Sequence, residues 1–533
     1  MDLSVMGRME LEKYAVRQAV RAEALEAEVR KYRKLFKLGQ ARQFAPKSEK
    51  SVSGGQVCLF NEAEEAAVPC APEPSAGTAC PPVKKVPKRK KGTKAAQLEG
   101  IERETVEFTL SGGDALCARC GAPLHRMNTV TRSEVEITPP QIRVKNYVQT
   151  IYACRECEKN GTGGGITAAP APRPLVKNSL ASPSALAWLI TRKYMGRDTL
   201  YQLEGELRLQ GARFSRQLLA NWVIMASQRF LSPLCEGLHR HLLAGDVVNA
   251  DETPVQVLHE EGRSASQKSY MWVFRTGEGM EEPAVLFRYA PTRSGDVPAA
   301  FLEGFRGRFL QCDGYSGYNG LEGGLARVGC LAHVRRYYMD VLKACGKDRG
   351  RAYAAALEGV EHCDRLFALD AEAAGLPASD PGAGTFKDEK VRPLLEEFIS
   401  WAEDALSSCP KGTLLYKALN YTAGQKEYLR NYLLHPKIRI SNNVSEREIR
   451  PFVTGRKVWL FCNTARGADA SAAAYSVIQT ARANGLDPYR YLLEIFEQSR
   501  GKEYLDEPDV QNLLPWNGDI QKKCSAEKKC TGE

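Results

Sequence analysis

A mixed α/β fold is what this sequence predicts, and three observations predict it. β-Branched and aromatic runs recur at Asp246–Leu258, Ser269–Phe274 and Ala284–Tyr289, separated by Gly-, Pro- and charge-rich turns. Two shorter apolar runs follow, one ending at Asp313 and one spanning Ala326–Cys330, with a helical stretch near Asp296–Leu302 before them. Helical patterns then take over, from about Arg349 to His435 and again from Asn443. Three strands, a helix, a strand, then a strand and a helix bearing His333, Arg335 and Arg336 make a mixed layout with carboxylates at strand ends.

At 533 residues the chain is long enough for several domains, and 43% apolar content supplies a large core. The net charge of +10 is modest for this length and fits a polyanionic partner without proving one. No run of about 18 apolar residues is present, so no membrane-spanning helix is expected. Met1 to Arg30 has no apolar stretch of the secretory kind, so a cytoplasmic location is expected. The 16 cysteines are mostly scattered singly, as Cys235, Cys330 and Cys363 are. In a reducing compartment such residues are small buried hydrophobes or metal ligands.

Residues 1–47 open with a helix in which Leu11, Ala15, Gln18, Ala22, Leu25, Val29, Tyr32 and Phe36 alternate steps of four and three. A coiled-coil seam and an ordinary amphipathic helix both fit that spacing. Residues 48–110 lose all periodicity and are rich in Pro, Ala, Glu and Lys, which reads as a linker or disordered arm. Its basic block includes Lys88, Arg89 and Lys90, candidates for a DNA backbone or simply a solvated, self-repelling stretch.

Residues 111–165 carry two C-x2-C knuckles, Cys117 with Cys120 and Cys154 with Cys157. Four thiolates in this pairing suit tetrahedral Zn²⁺, and a site closed by four ligands is structural rather than catalytic. Alternating segments around Val135 and Val144 read as strands of a ribbon between the knuckles. Residues 175–240 contain short helices that fit a helical bundle better than a helix-turn-helix unit. Residues 241–345 and 437–500 hold the two halves of the α/β core, 346–436 a helical insertion, and 501–533 a polar, loose tail apart from Leu513-Leu514-Pro515-Trp516.

Asp251, Asp313 and Glu446 are the candidate catalytic and metal-binding residues. Asp251 ends the run Val247-Val248-Asn249-Ala250, Asp313 ends Phe309-Leu310-Gln311-Cys312, and Glu446 lies in the first turn of the helix after Asn442-Asn443. Each has an ordinary explanation: a strand turning at Pro254, an Asp-Gly turn, and a capping box running from Asn443 to Glu446. Together they are the hard oxygen ligands that two Mg²⁺ (or Mn²⁺) ions need for in-line attack on a phosphodiester. His333, Arg335, Arg336, Arg447, Arg450, Arg456 and Lys457 are the candidate cations for DNA phosphates, or merely solvated surface charges.

These stretches resemble the insertion-sequence-66 family of bacterial transposases. The residues that carry the resemblance are Ala250-Asp251-Glu252-Thr253-Pro254, Cys312-Asp313-Gly314-Tyr315-Ser316-Gly317-Tyr318, Gly329 to Arg336, Asn442 to Arg447 and Gly455 to Phe461. The leading helix, the double knuckle and the terminal Leu513-Leu514-Pro515-Trp516 are similar in layout, so the likeness covers nearly the whole chain. Where the family usually carries an aspartate before the paired asparagines, this chain has Ser441.

The resemblance implies an RNase H-like core of the DDE type, interrupted by a helical insertion before the glutamate. It implies a nucleoid-associated bacterial enzyme that cuts and joins double-stranded DNA at element ends and target, acting as a homo-oligomer with small accessory proteins. Two rivals stand beside it: an RNase H-like nuclease that cuts without joining, and a non-catalytic zinc-containing DNA-binding protein, such as a decayed transposase.

Overall fold

The computed structural model describes residues 142–148, 151–153, 166–168, 170–321, 324–346, 348–375 and 385–526. The amphipathic N-terminal stretch, the basic block with Lys88, Arg89 and Lys90, and all four knuckle cysteines lie outside the described residues. The first described strands, β1 (Ile151–Ala153) and β2 (Ile166–Ala168), form a short antiparallel pair.

Among the described residues, four α-helices precede the main sheet. They are α1 (Pro183–Tyr194), α2 (Leu200–Leu209), α3 (Arg216–Ala226) and α4 (Ser232–Leu243). Ser182, Thr199 and Ser215 cap the first three through their side-chain oxygens, as Ser and Thr do where a helix leaves its first amides unpaired.

The sheet then builds around its longest strand, β3 (Val247–His259). On one side β4 (Lys268–Thr276) and β5 (Val285–Ala290) add as antiparallel neighbours. A short helix, α5 (Asp296–Phe301), carries the chain across, and β6 (Phe309–Gln311) and β7 (Ala326–Val328) add in parallel on the other side. The order is β5-β4-β3-β6-β7, and β8 (Cys462–Thr464) pairs in parallel with the far end of β3.

Helix α6 (Leu331–Cys345) follows β7 and leads into the insertion: α7 (Arg351–Ala374), α8 (Arg392–Ser407), α9 (Leu414–Gly424) and α10 (Lys426–Arg430). These helices share a second core with α6 and one side of the sheet, built on Tyr338, Leu366, Phe398 and Leu419 with Val247, Phe309 and Val328. The chain returns to the sheet through α11 (Asn443–Trp459), and α12 (Ala465–Ala483) then closes the sheet's edge. The free amides of β5 donate to α12 hydroxyls, Val285 to Thr480 at 3.0 Å and Phe287 to Ser476 at 2.7 Å. An edge strand that would otherwise offer open hydrogen-bonding groups is thereby covered.

Two features differ from the sequence reading. As far as residue 526 the tail is packed, not loose: α13 (Pro488–Gln498) is followed by α14 (Glu507–Leu513) and α15 (Gly518–Cys524), with Leu505, Val510, Leu513, Leu514 and Ile520 buried. Asp506 and Asp509 form a capping box that starts α14, in a helix too short to show a period. Asp251 is also not at a strand end, because β3 runs on for eight residues to His259. What ends near it is the parallel partner, β6, which stops at Gln311. Among the described residues no helix is long and apolar enough to cross a membrane.

Candidate active site

The register of β3 and β6 brings two aspartates to the same end of the ladder. Asn249 pairs with Gln311 in its last rung, and Asp251 and Asp313 each lie two residues beyond, Asp251 still within β3 and Asp313 past the end of β6. Within β3, Asn249 and Asp251 share a face, as residues two apart in a strand do. Asn249 and Gln311 are buried polar groups in otherwise apolar runs, and they are bonded to each other at 2.9 Å.

The third carboxylate arrives by the same polar cluster. Asn442, 1% exposed and at the start of α11, accepts from the Asn249 amide at 2.8 Å and donates to the Ala250 carbonyl at 2.8 Å. Its side chain makes no capping bond. Glu446 follows one helical turn later. The capping-box explanation of Glu446 therefore does not hold: Asn442, not Asn443, is the cap, and the glutamate's oxygens face α6. Arg336 donates to both of them, at 3.0 and 3.2 Å, and His333 Nε2 is 3.7 Å away.

Asp251, Asp313 and Glu446 are electrostatic neighbours. Burial, and then the charges of Glu252, Glu446 and Asp313, hold the Asp251 carboxyl well above the usual range, against one opposing bond from the Glu252 amide at 2.8 Å. Like charges gathered around one carboxyl are costly, and a divalent cation relieves that cost. Among the described residues, however, no three His, Cys, Asp or Glu groups are drawn together closely enough to hold an ion. The Glu446 carboxylate is turned to Arg336 instead.

Asp313 sits at a tight corner. Its side chain accepts from the Tyr315 amide at 2.9 Å, so the turn explanation and the cluster both apply. Arg327 donates to its carbonyl at 2.8 Å. At Gly314 any Cβ would meet the Tyr421 hydroxyl at 2.5 Å, so only glycine admits this approach of α9.

Sequence reasoning missed Glu252, whose side chain is 1% exposed. It accepts from the Tyr318 hydroxyl at 2.6 Å and from Arg293 Nε at 2.8 Å, tying β3 to the loop after Asp313. It also missed Asn249, Gln311 and Asn442. A signal was present: a lone polar residue stands two positions before each aspartate.

The candidate cations divide. Arg447, Arg450 and Lys457 are exposed along α11. Arg456 donates to the Thr253 hydroxyl at 3.1 Å, and Arg335 pairs with Asp364 at 2.7 Å, toward the insertion and not the carboxylates. His333 and Arg336 face Glu446.

The family described as Transposase IS66 family matches residues 178–470, more than half of the chain. The chain belongs to the IS66 transposase family. Two further descriptions match on either side: the zinc-finger binding domain of transposase IS66 over residues 114–158, and the IS66 C-terminal element over 476–516. The 114–158 match takes in all four knuckle cysteines. Curated relatives include the uncharacterized proteins y4jD and y4qI of Sinorhizobium fredii (strain NBRC 101917 / NGR234). Both are 28% identical, over 75% and 81% of this chain and 78% of each relative. Another, y4hP of the same strain, is 25% identical over 80% of this chain and 77% of its own length. For an IS66 transposase, a DNA partner and a zinc-binding module are the family-level expectation.

Proposed function

We propose that this IS66 transposase is a DDE-type enzyme in which Asp251, Asp313 and Glu446 are the catalytic acids of an RNase H-like core. The observation that supports the reading is the buried Asn249, Gln311 and Asn442 cluster, which stands two residues before Asp251, two before Asp313 and one turn before Glu446, with the charges of Asp313 and Glu446 acting on Asp251. The mixed sheet, three antiparallel strands followed by two parallel ones, supports the core assignment.

Two Mg²⁺ or Mn²⁺ ions held by these carboxylates would supply an activated water and a stabilised leaving oxygen for phosphodiester cleavage. The chain's own groups do the positioning. Asn249, Gln311 and Asn442 fix the level of the acids, and Glu252 holds the Asp313 loop through Tyr318 and Arg293. Arg336 and His333 face the Glu446 carboxylate and orient it. Arg447, Arg450 and Lys457 present positive charge to DNA phosphates along the open side of α11. Cleavage at an element end frees a 3′-hydroxyl. That hydroxyl then attacks a target phosphodiester, forming one P–O bond as another breaks and the target's 3′-oxygen leaves. Cys117, Cys120, Cys154 and Cys157 bind a structural Zn²⁺. The arm with Lys88, Arg89 and Lys90 adds DNA affinity, and residues 1–47 join protomers so that two ends are processed together.

The test is Asp313→Asn in the purified chain, with duplex DNA taken from the flanks of its reading frame. Cleavage lost with DNA affinity kept is the expected result; undiminished cleavage overturns the assignment. Pre-cut ends separate the rivals, since a nuclease leaves them unjoined. A chain that binds but neither cuts nor joins with Mg²⁺ or Mn²⁺ is the non-catalytic protein.

A further inference from the structure

The insertion separates Asp313 from Glu446 in sequence, and two of its buried charges are spent on one short segment of backbone. Asp370 on α7 is 6% exposed. It accepts from the Tyr432 hydroxyl at 2.9 Å, Arg439 Nε at 3.0 Å and the Ile440 amide at 3.2 Å. Lys387, 2% exposed and just before α8, donates to the carbonyls of Tyr432 at 3.3 Å, His435 at 2.9 Å and Ile438 at 2.7 Å. All three ammonium hydrogens are thus matched to acceptors.

That segment, residues 432–440, runs directly into Asn442 and α11. Its other flank is tied to β6 and to the start of α6. Gln311 donates to the Arg439 carbonyl, the Leu331 amide to the Ile440 carbonyl at 3.0 Å, and the Asn442 amide to Cys330 Sγ at 3.1 Å. The strap is therefore bonded on both sides just before the helix that carries Glu446. The insertion also touches the other acid's loop, through Tyr421 against Gly314 and through Gln425, which shares Arg327 with the Asp313 carbonyl.

Burying a carboxylate and an ammonium is a costly way to hold helices together, and apolar side chains would do it more cheaply. These bonds all go to residues 432–440, half of them to Ile438, Arg439 and Ile440 past the end of the insertion. Fixing the register of a polar segment is the use that such buried groups serve best.

We propose that Asp370 and Lys387 are positioning residues for Glu446: the insertion sets the register of the strap, and with it the place of the first turn of α11 relative to Asp251 and Asp313. This rests on the assignment of those three as the catalytic acids.

The test uses the full chain and reads single-turnover cleavage against Mg²⁺ and Mn²⁺ concentration, together with DNA affinity and melting temperature. Asp370→Asn and Lys387→Met are expected to cleave about 10–100-fold more slowly, the range in which groups that orient metal ligands act. Half-saturation should need more Mg²⁺, Mn²⁺ should restore part of the rate, and DNA affinity should stay unchanged. Tyr432→Phe, which deletes only a hydroxyl, should shift the metal dependence in the same direction by a smaller factor, and decides the matter if the other two do not fold. Wild-type rate and wild-type metal dependence in the folded variants, even with a lowered melting temperature, overturn the proposal. Glu446→Gln is the control: if it still cleaves, the assignment of the acids falls; if it is inactive while the folded variants behave as wild type, only the positioning role falls.

Discussion

Asn442 donates its side-chain amide to the Ala250 carbonyl at 2.8 Å, tying the residue before Asp251 to the start of the helix that carries Glu446. The same side chain accepts from Asn249 at 2.8 Å, so one buried amide bridges strand and helix. Asn442→Ala removes both bonds and strands a buried carbonyl. A stability loss of about 2 kcal/mol is expected in urea unfolding, the usual cost of an unsatisfied buried group. Cleavage should fall by about 10–100-fold if the bridge orients the acids. A variant with reduced stability and full activity would limit the bridge to a structural role.

Asp251 predicts a pH dependence. Its carboxyl is held well above the ordinary range by burial and by Glu252, Glu446 and Asp313. The folded state then keeps this proton more tightly than the unfolded state does. Its penalty is absent below the ordinary carboxylate range and grows as pH rises from there through the raised folded value. Without divalent metal, wild-type melting temperature should therefore decline over that window by more than that of Asp251→Asn. The variant should melt a few degrees higher at neutral pH. Mg²⁺ should recover the wild type and leave the variant unmoved. Identical pH profiles for the two proteins would show that the carboxylates do not repel one another.

Much of this was legible in the residues. The β-branched run in Asp246–Leu258 and the apolar run before Asp313 carried both strands, because short apolar, β-branched stretches bounded by turns fit buried strands. That Asn249 and Gln311, each two residues before an aspartate, share one rung was not legible, since it depends on a parallel register that no local pattern encodes. Nor was the partner of Glu446 visible: Arg336 is 110 positions away, and a capping box looked sufficient. The tail was misjudged because α14 and α15 span 7 residues each, too few for a helical period. Asn249 and Gln311 were overlooked although each stands as a lone amide in an apolar run two residues before an aspartate.

Beneath the site, Glu448 and Arg275 form a buried pair at 3.7 Å, 8% and 7% exposed. Burial pulls the two in opposite directions, raising the Glu448 carboxyl and lowering the Arg275 guanidinium, while each favours the other's charge. Glu448→Ala leaves the Arg275 charge without that partner and should cost about 3–5 kcal/mol in chemical denaturation. The double variant Arg275→Met with Glu448→Leu should cost far less than the sum of the singles. Additive losses would mean that the pair contributes packing and no charge coupling.

Zinc content gives a prediction independent of the sheet. If Cys117, Cys120, Cys154 and Cys157 close one site, the purified chain should carry about one zinc per protomer by elemental analysis. Cys120→Ser should lose it. Chelation should weaken DNA binding while leaving the unfolding of the α/β core unchanged. Full zinc occupancy in Cys120→Ser would remove that thiolate from the ligand set.

Arg336 separates two roles by measurement. It donates to both oxygens of Glu446, at 3.0 and 3.2 Å, and so occupies the carboxylate that the proposed metal site requires. If it competes with metal for that carboxylate, Arg336→Met should need less Mg²⁺ for half-maximal cleavage, and its metal-free form should melt lower, because Glu446 loses its cation. If it instead contacts a DNA phosphate, affinity should fall and the salt slope of binding should drop by about one. The two outcomes lie on different axes, so one variant measured for metal dependence and for salt dependence distinguishes them. Coupled to Glu446→Gln in a double-mutant cycle, the competing role predicts that the effect of removing Arg336 on melting shrinks once the glutamate's charge is gone.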